Sequence, residues 1–300
     1  MRFLWWILSA VFIGLLLPVH AQPYIDLATT RYIISPASLG LMNQGEPPLR
    51  LNHYVAGFNL PLPLDQKQES ILLISPYFEN WQTSIPDQRN QLTGIGVPIG
   101  LQQKVSPGWS FTALLIYRYN RETNIEERTK SNHQFGSVLI VNRIKSSNLT
   151  YKFGLYYNRE FFGHFFVPLL GIDWKINEKN NLFGTLPGAI TWENKFHKIF
   201  GWGLNFRALT NSYRTFSADD PCLTGDCSAL PYSRIDENQL GFYLDFYPRK
   251  TFAITGEFGH SLFRRTRTGW KGTHFKNVHS LSKQDNFYFR LMASYRLRLR

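Results

Sequence analysis

The segment 286–300, NFYFRLMASYRLRLR, decides how this chain is read. Its odd positions carry Phe287, Phe289, Leu291, Ala293, Tyr295, Leu297 and Leu299, while Arg290, Arg296, Arg298 and Arg300 fall on even ones. Side chains of a strand alternate between two faces, so the segment has one apolar face and one cationic face. A helix would mix the two sets. Such a strand suits a soluble sheet with one wet side, or a membrane barrel with lipid outside and a polar lumen.

The same period recurs upstream. Trp109, Phe111, Ala113, Leu115, Tyr117 and Tyr119 alternate with Ser110, Thr112, Arg118 and Asn120, with Leu114 and Ile116 among the latter set. Leu149, Tyr151, Phe153, Leu155 and Tyr157 alternate with Thr150, Lys152, Gly154 and Asn158. Further alternations follow at 166–176, 200–207, 239–247 and 251–258, and weaker ones at 49–60, 69–78 and 181–193. Short polar turns at 105–108, 145–148, 177–180 and 248–250 mark hairpins. The long connections are 120–132, 209–237 and 260–285, and long and short should alternate between two rims. That alternation slips one step between Gly184 and Lys198, where Pro187 interrupts the pattern. The reading is all-β, with about twelve strands.

Strand length and composition choose between soluble sheet and membrane barrel. These alternations exceed the ~5–6 residues of ordinary strands and approach the ~9–11 that cross a bilayer at a tilt. Aromatics make up 16% of the chain, more than a sandwich of this size would bury. Backbone polar groups in lipid require closure, so the expected fold is a transmembrane antiparallel up-and-down β-barrel over 49–300. Residues 1–21 read as a signal peptide: Arg2, an apolar run from Phe3 to Leu17, then Pro18 and the small-x-small site Val19-His20-Ala21. Residues 22–48 are left as a linker, a plug or an extra strand. Cys222 and Cys227 are expected to form a local disulfide in an oxidising compartment.

Two weakly specific motif groups accompany the signal-then-strand order: Gly94-Ile95-Gly96-Val97-Pro98 before the first clear hairpin, and Trp174 to Lys179 followed by Leu186-Pro187-Gly188. With them the chain resembles bacterial outer-membrane β-barrel proteins, and more narrowly an uncharacterised barrel family (a domain of unknown function) common in Bacteroidota. The resemblance spans about 24–300 and implies an outer-membrane location and insertion by the assembly machinery. It carries no activity to transfer. Such barrels usually end on an aromatic residue, whereas this chain ends Leu297-Arg298-Leu299-Arg300.

No catalytic constellation emerges. His260 and Ser261 are adjacent, so a strand would send them to opposite faces and prevent proton transfer. Asp219, Asp220 and Asp226 read as turn formers, and no metal or cofactor motif is present. The net charge of +12 favours anionic partners; for an exported chain these are lipid phosphates rather than nucleic acid. Arg264, Arg265, Arg267, Lys271 and Lys276 form a basic segment able to meet lipopolysaccharide. Arg118, Lys152, Arg207, Asp245, Glu257, Arg290 and Arg296 share the face opposite the aromatics and are expected to line the lumen. The leading expectation is therefore a passive or substrate-selective channel with anion preference. The alternative is a non-conducting structural barrel within an envelope complex, with a lipid-modifying enzyme third.

Overall fold

The structure, a computed structural model, describes residues 23–36, 50–85, 88–123, 132–215, 231–270, 279–283 and 285–298. The signal segment, Cys222, Cys227, Lys271 and Lys276 lie outside the described residues. In chain order the strands are β1 (Tyr24–Ser35), β2 (Arg50–Phe58), β3 (Leu60–Pro63), β4 (Ser70–Ile74), β5 (Tyr77–Ile85) and β6 (Gln88–Ser106). Next come β7 (Trp109–Glu122), β8 (His133–Ser146), β9 (Leu149–Glu160), β10 (Gly163–Lys175), β11 (Asn180–Leu186) and β12 (Ala189–Asn194). The last are β13 (Phe200–Arg214), β14 (Pro231–Arg249), β15 (Phe252–Trp270), β16 (His279–Lys283) and β17 (Phe287–Arg298).

Each wall strand pairs antiparallel with the next, and β17 returns to β1 from Tyr24↔Arg298 to Ile34↔Phe289, so the sheet closes. β2 and β3 form one wall strand broken at Asn59, as do β4 and β5, broken at Ser75-Pro76. β16 is a short strand beside the upper part of β15. The wall thus has fourteen strands.

This corrects the expected count of about twelve in two places. The segment 24–35 is a wall strand. The segment 181–193 is a hairpin, β11 and β12, turning at Pro187-Gly188. Both strands are too short to show a clean period of two. With that hairpin in place, turns alternate between rims without a slip. One rim carries Pro107-Gly108, Ser147-Asn148, 176–179, 195–199 and Lys250-Thr251, together with the start of β1 and the end of β17. The other rim carries the long connections and the tight Phe161-Phe162 turn.

Local chemistry shapes the short turns. Gly108 has φ of +86° after Pro107, the pair a type II turn asks for. Asn177 Oδ1 accepts from the N–H groups of Lys179 and Asn180 at 3.0 and 2.9 Å. In the 64–69 turn, Asp65 accepts from the N–H groups of Glu69 and Ser70 at 3.0 and 2.7 Å. Donation from the Glu69 backbone holds this carboxyl below its usual range.

The alternation resolves into outside and inside. On β17, Leu291 is 63% exposed and Arg296 2%. Outward Leu240, Phe242, Leu244 and Phe246 on β14 alternate with buried Gln239, Tyr243, Asp245 and Tyr247. Trp109, Trp174 and Phe200 stand outward at the short-turn end. Near the other end, Tyr117 and Tyr157 share hydrogen bonds with His133 and His164 at 2.8 and 2.9 Å. These positions match the aromatic girdles of a bilayer-spanning barrel.

Inside, tyrosine rings lie over glycines of neighbouring strands. A Cβ on Gly259 would meet Tyr288 Oη at 2.3 Å, and one on Gly203 would meet Tyr243 at 2.6 Å. Glycine at these positions is what lets the rings lie flat against the wall.

Candidate functional site: the lumen

The interior has two unlike walls. The charged wall runs from β12 through β17 to β1. Arg296 grips Asp26 through Nε and Nη2 at 2.6 and 3.0 Å, and donates to Asp245 Oδ2 at 2.8 Å. Its guanidinium lies 3.7 Å from the centre of the Tyr24 ring. Arg298 donates to Glu193 at 2.7 Å and to Tyr247 Oη at 2.6 Å. One step further in, Glu257 accepts from Arg207 at 2.5 Å, Asn205 at 2.5 Å, Tyr288 at 2.7 Å and Arg290. Between these two networks lies a cavity of about 180 Å³ lined by Tyr24, Asp26, Asn205, Arg207, Tyr243 and Arg290, among others. Asn205 Oδ1, Tyr243 Oη and Arg290 Nε find no partner among the described residues, as is common for groups lining a wet space.

The facing wall, β7 to β10, carries an apolar patch between polar groups, with Asn120, Gln134, Asn158 and Glu160 toward the long-loop end and Thr150 and Asp173 toward the other. Leu114 and Ile116 of β7, Val138 and Ile140 of β8, and Val167 and Leu169 of β10 fall on the inward parity. Lys152 pairs with Asp173 there at 2.7 Å.

The long-loop end is obstructed by the barrel's own chain. The upper parts of β13 and β14 leave the wall and fold inward, so that Arg214 of β13 pairs in parallel with Arg121 of β7 across the lumen. One face of this tip meets β7 to β9. Ser212 Oγ donates to Glu160 at 2.6 Å and accepts from Gln134 and from the Phe161 N–H at 3.0 and 3.1 Å. The other face meets β2, β5 and β6. Tyr213 donates to Glu79 at 2.7 Å, and the ring of Tyr213 packs with Leu51, Trp81, Leu92 and Ile235. Glu79 also bonds His53 at 3.2 Å, whose ring stacks on Trp81 at 3.5 Å. Side chains on both faces of β13 are therefore satisfied only when the tip is inside.

Each of the seven charged residues named for the lumen has an ion-pair partner. Arg118 lies 3.5 Å from Glu160, and the others have the partners given above. Their counter-charges Asp26 and Glu160, and the further acids Glu79 and Glu193, were missed because they sit on short or weakly alternating strands, or beyond the clean part of one; Asp173, between Ile172 and Trp174, was legible. Arg298 was legible, being on the same face as Arg296.

Arg31 was missed with β1. It faces Met292 and Val55 from its neighbouring strands, and no carboxylate lies within ion-pair distance of it among the described residues.

The basic segment needs one correction. A bulge at Phe263, where φ is +55°, turns Arg264 into the interior, where it donates to Ser35 Oγ at 2.7 Å. It is 1% exposed and has no reach to lipid. Arg265 is exposed, and Arg267 pairs with Asp236. His260 and Ser261 do face opposite ways: Ser261 donates inward to Glu237 at 2.5 Å, and His260 packs on Phe287.

A closed antiparallel sheet with an apolar outer band and aromatic girdles is the architecture that bacterial outer membranes hold. The barrel belongs in that membrane. No protein-family model and no curated protein matches the sequence, so the narrower likeness to an uncharacterised Bacteroidota family gains no support. Solved barrels of similar architecture include an outer-membrane channel from Pseudomonas putida, 8% identical over 93% of this chain and 97% of that one, with a TM-score of 0.48. The NanC porin is 7% identical over 90% of this chain and all of that one, with a TM-score of 0.42. The toluene transporter TodX of P. putida is 8% identical over 94% and 91%, with a TM-score of 0.41. The likeness is loose, and no site is carried across from it.

Proposed function

We propose that the barrel is an outer-membrane channel for small solutes, held shut at its long-loop end by the β13–β14 tip. One observation carries this reading: the obstruction is a single hairpin end, and behind it lies a polar cavity whose wall groups are left for water. A barrel built only as a scaffold has no need of such a cavity.

The channel's anion preference rests on Arg31. Arg207, Arg290 and Arg296 are neutralised by Glu257, Asp26 and Asp245 and shape the wall instead. The second reading, a non-conducting barrel, is favoured by the bonds that tie Ser212 and Tyr213 across the lumen.

Planar-bilayer recording of the refolded chain under a salt gradient separates the two. Brief steps from a mostly closed barrel support the gated channel. Silence from a folded barrel, persisting when the Ser212 and Tyr213 bonds are removed, supports the scaffold.

A further inference from the structure

The wall has a gap. β11 reaches β10 only over Leu170–Lys175, and β12 reaches β13 only from Trp202 to Arg207. Above the Pro187-Gly188 turn, Gly163 to Leu169 of β10 and Ala208 to Arg214 of β13 have no strand of the described residues between them. β13 has turned into the lumen there, so its edge does not fill the space. Yet the outward apolar row of β10 continues past Leu170 through Pro168 and Phe166, both exposed. The gap therefore opens within the bilayer-facing band, on the long-loop side.

It is also framed on all sides. Below, Ala208 N donates to Gly188 O at 2.9 Å. Above, the Phe161-Phe162 turn joins the tip: Phe161 N–H donates to Ser212, Phe162 packs on Tyr232, and the Arg234 guanidinium lies 4.0 Å from the centre of the Phe162 ring. Facing inward just behind the β10 edge are Val167 and Leu169. On the β13 side the outward residues are the small Ala208 and Thr210, and Thr210 donates to Asp236 at 3.0 Å, the carboxylate shared by Arg234 and Arg267.

Open strand edges in hydrocarbon are costly unless protein, water or a guest covers them. Pro168 lowers that cost at one point, having no N–H to leave unpaired. The space is apolar on its inner side and continuous with the apolar patch of Val138, Ile140, Val167 and Leu169, a surface that ions alone do not need.

We propose that this is a lateral window through which the acyl chain of a single-chain amphiphile passes between the lumen and the adjoining bilayer leaflet. The proposal rests on reading the barrel as a channel and names a substrate class for it.

The test uses the full chain in liposomes preloaded with a diazirine derivative of laurate, photolysed and mapped by mass spectrometry. Labelling of inward Val167 and Leu169, lost when unlabelled laurate competes, is the expected result. Labelling confined to outward residues such as Leu204, Leu244 and Leu291 overturns it. Ala208→Trp, which fills the frame without touching the lumenal networks, should abolish inner labelling while leaving potassium chloride conductance in place; Ala208→Phe serves if the first variant does not fold. Inner labelling that survives in a folded variant means that laurate arrives along the lumen, and overturns the window. Silence in conductance beside inner labelling would instead discard the ion-channel reading and leave the window standing.

Discussion

At the scale of single residues, Glu257 is the point where most of the lumenal wall converges. Its side chain has no exposure, and it accepts from two guanidiniums, an amide and a phenol. Glu257→Gln would leave Arg207 and Arg290 without their shared counter-charge. Breaking a buried pair in this way costs about 3–5 kcal/mol. The urea midpoint for refolding into lipid vesicles should fall accordingly; an unchanged midpoint would show that water screens the two arginines. Arg31 is expected to behave differently, because it has no such partner. Arg31→Gln should leave refolding nearly unchanged and move the reversal potential under a salt gradient toward zero. Arg296→Gln should do the opposite, weakening folding with little effect on selectivity.

At the scale of elements, the β13–β14 tip sets whether the lumen conducts. It is held by bonds from charged acceptors on two sides, Glu160 to Ser212 and Glu79 to Tyr213. Hydrogen bonds to charged groups are each worth about 1.5–3 kcal/mol. Combining Ser212→Ala with Tyr213→Phe should raise the open fraction by roughly tenfold or more in single-channel records, with the barrel still folded. The β11–β12 hairpin is a second element with its own logic. It is short because Pro187-Gly188 turns the chain early, and the low wall it makes is what parts β10 from β13. None of this follows from periodicity, since seven or fewer residues between turns show no clear face.

At the scale of the whole molecule, closure depends on an even number of strands. β1 supplies the pairing that joins β17 to β2, antiparallel on both edges. Without it the free edges of β17 and β2 would run in the same direction and could meet only as a parallel pair. Deleting 24–35 should therefore abolish the folded, heat-modifiable band on a denaturing gel; a folded band of undiminished yield would mean that the barrel closes with fewer strands. The charge balance of the lumen is also a property of the whole. A chain with net charge +12 still has a wall in which nearly every named cation finds an acid, so the overall excess says little about what the lumen selects.

The sequence by itself determined the class of fold, because alternation over ten or more residues leaves a strand only one way to present lipid and water to opposite faces. It also put Arg118, Lys152, Arg207, Asp245, Glu257, Arg290 and Arg296 on the face opposite the aromatics, since parity within a strand is a local property. What each of those charges meets is not local. Arg296 and Asp26 are brought together by closure of the first strand on the last, and Glu257 gathers donors from β13 and β17. The inward fold of β13 lay beyond the sequence for the same reason. Ser212 and Tyr213 continue an ordinary alternation, and only the acids waiting on β5 and β9 turn that strand from wall into stopper.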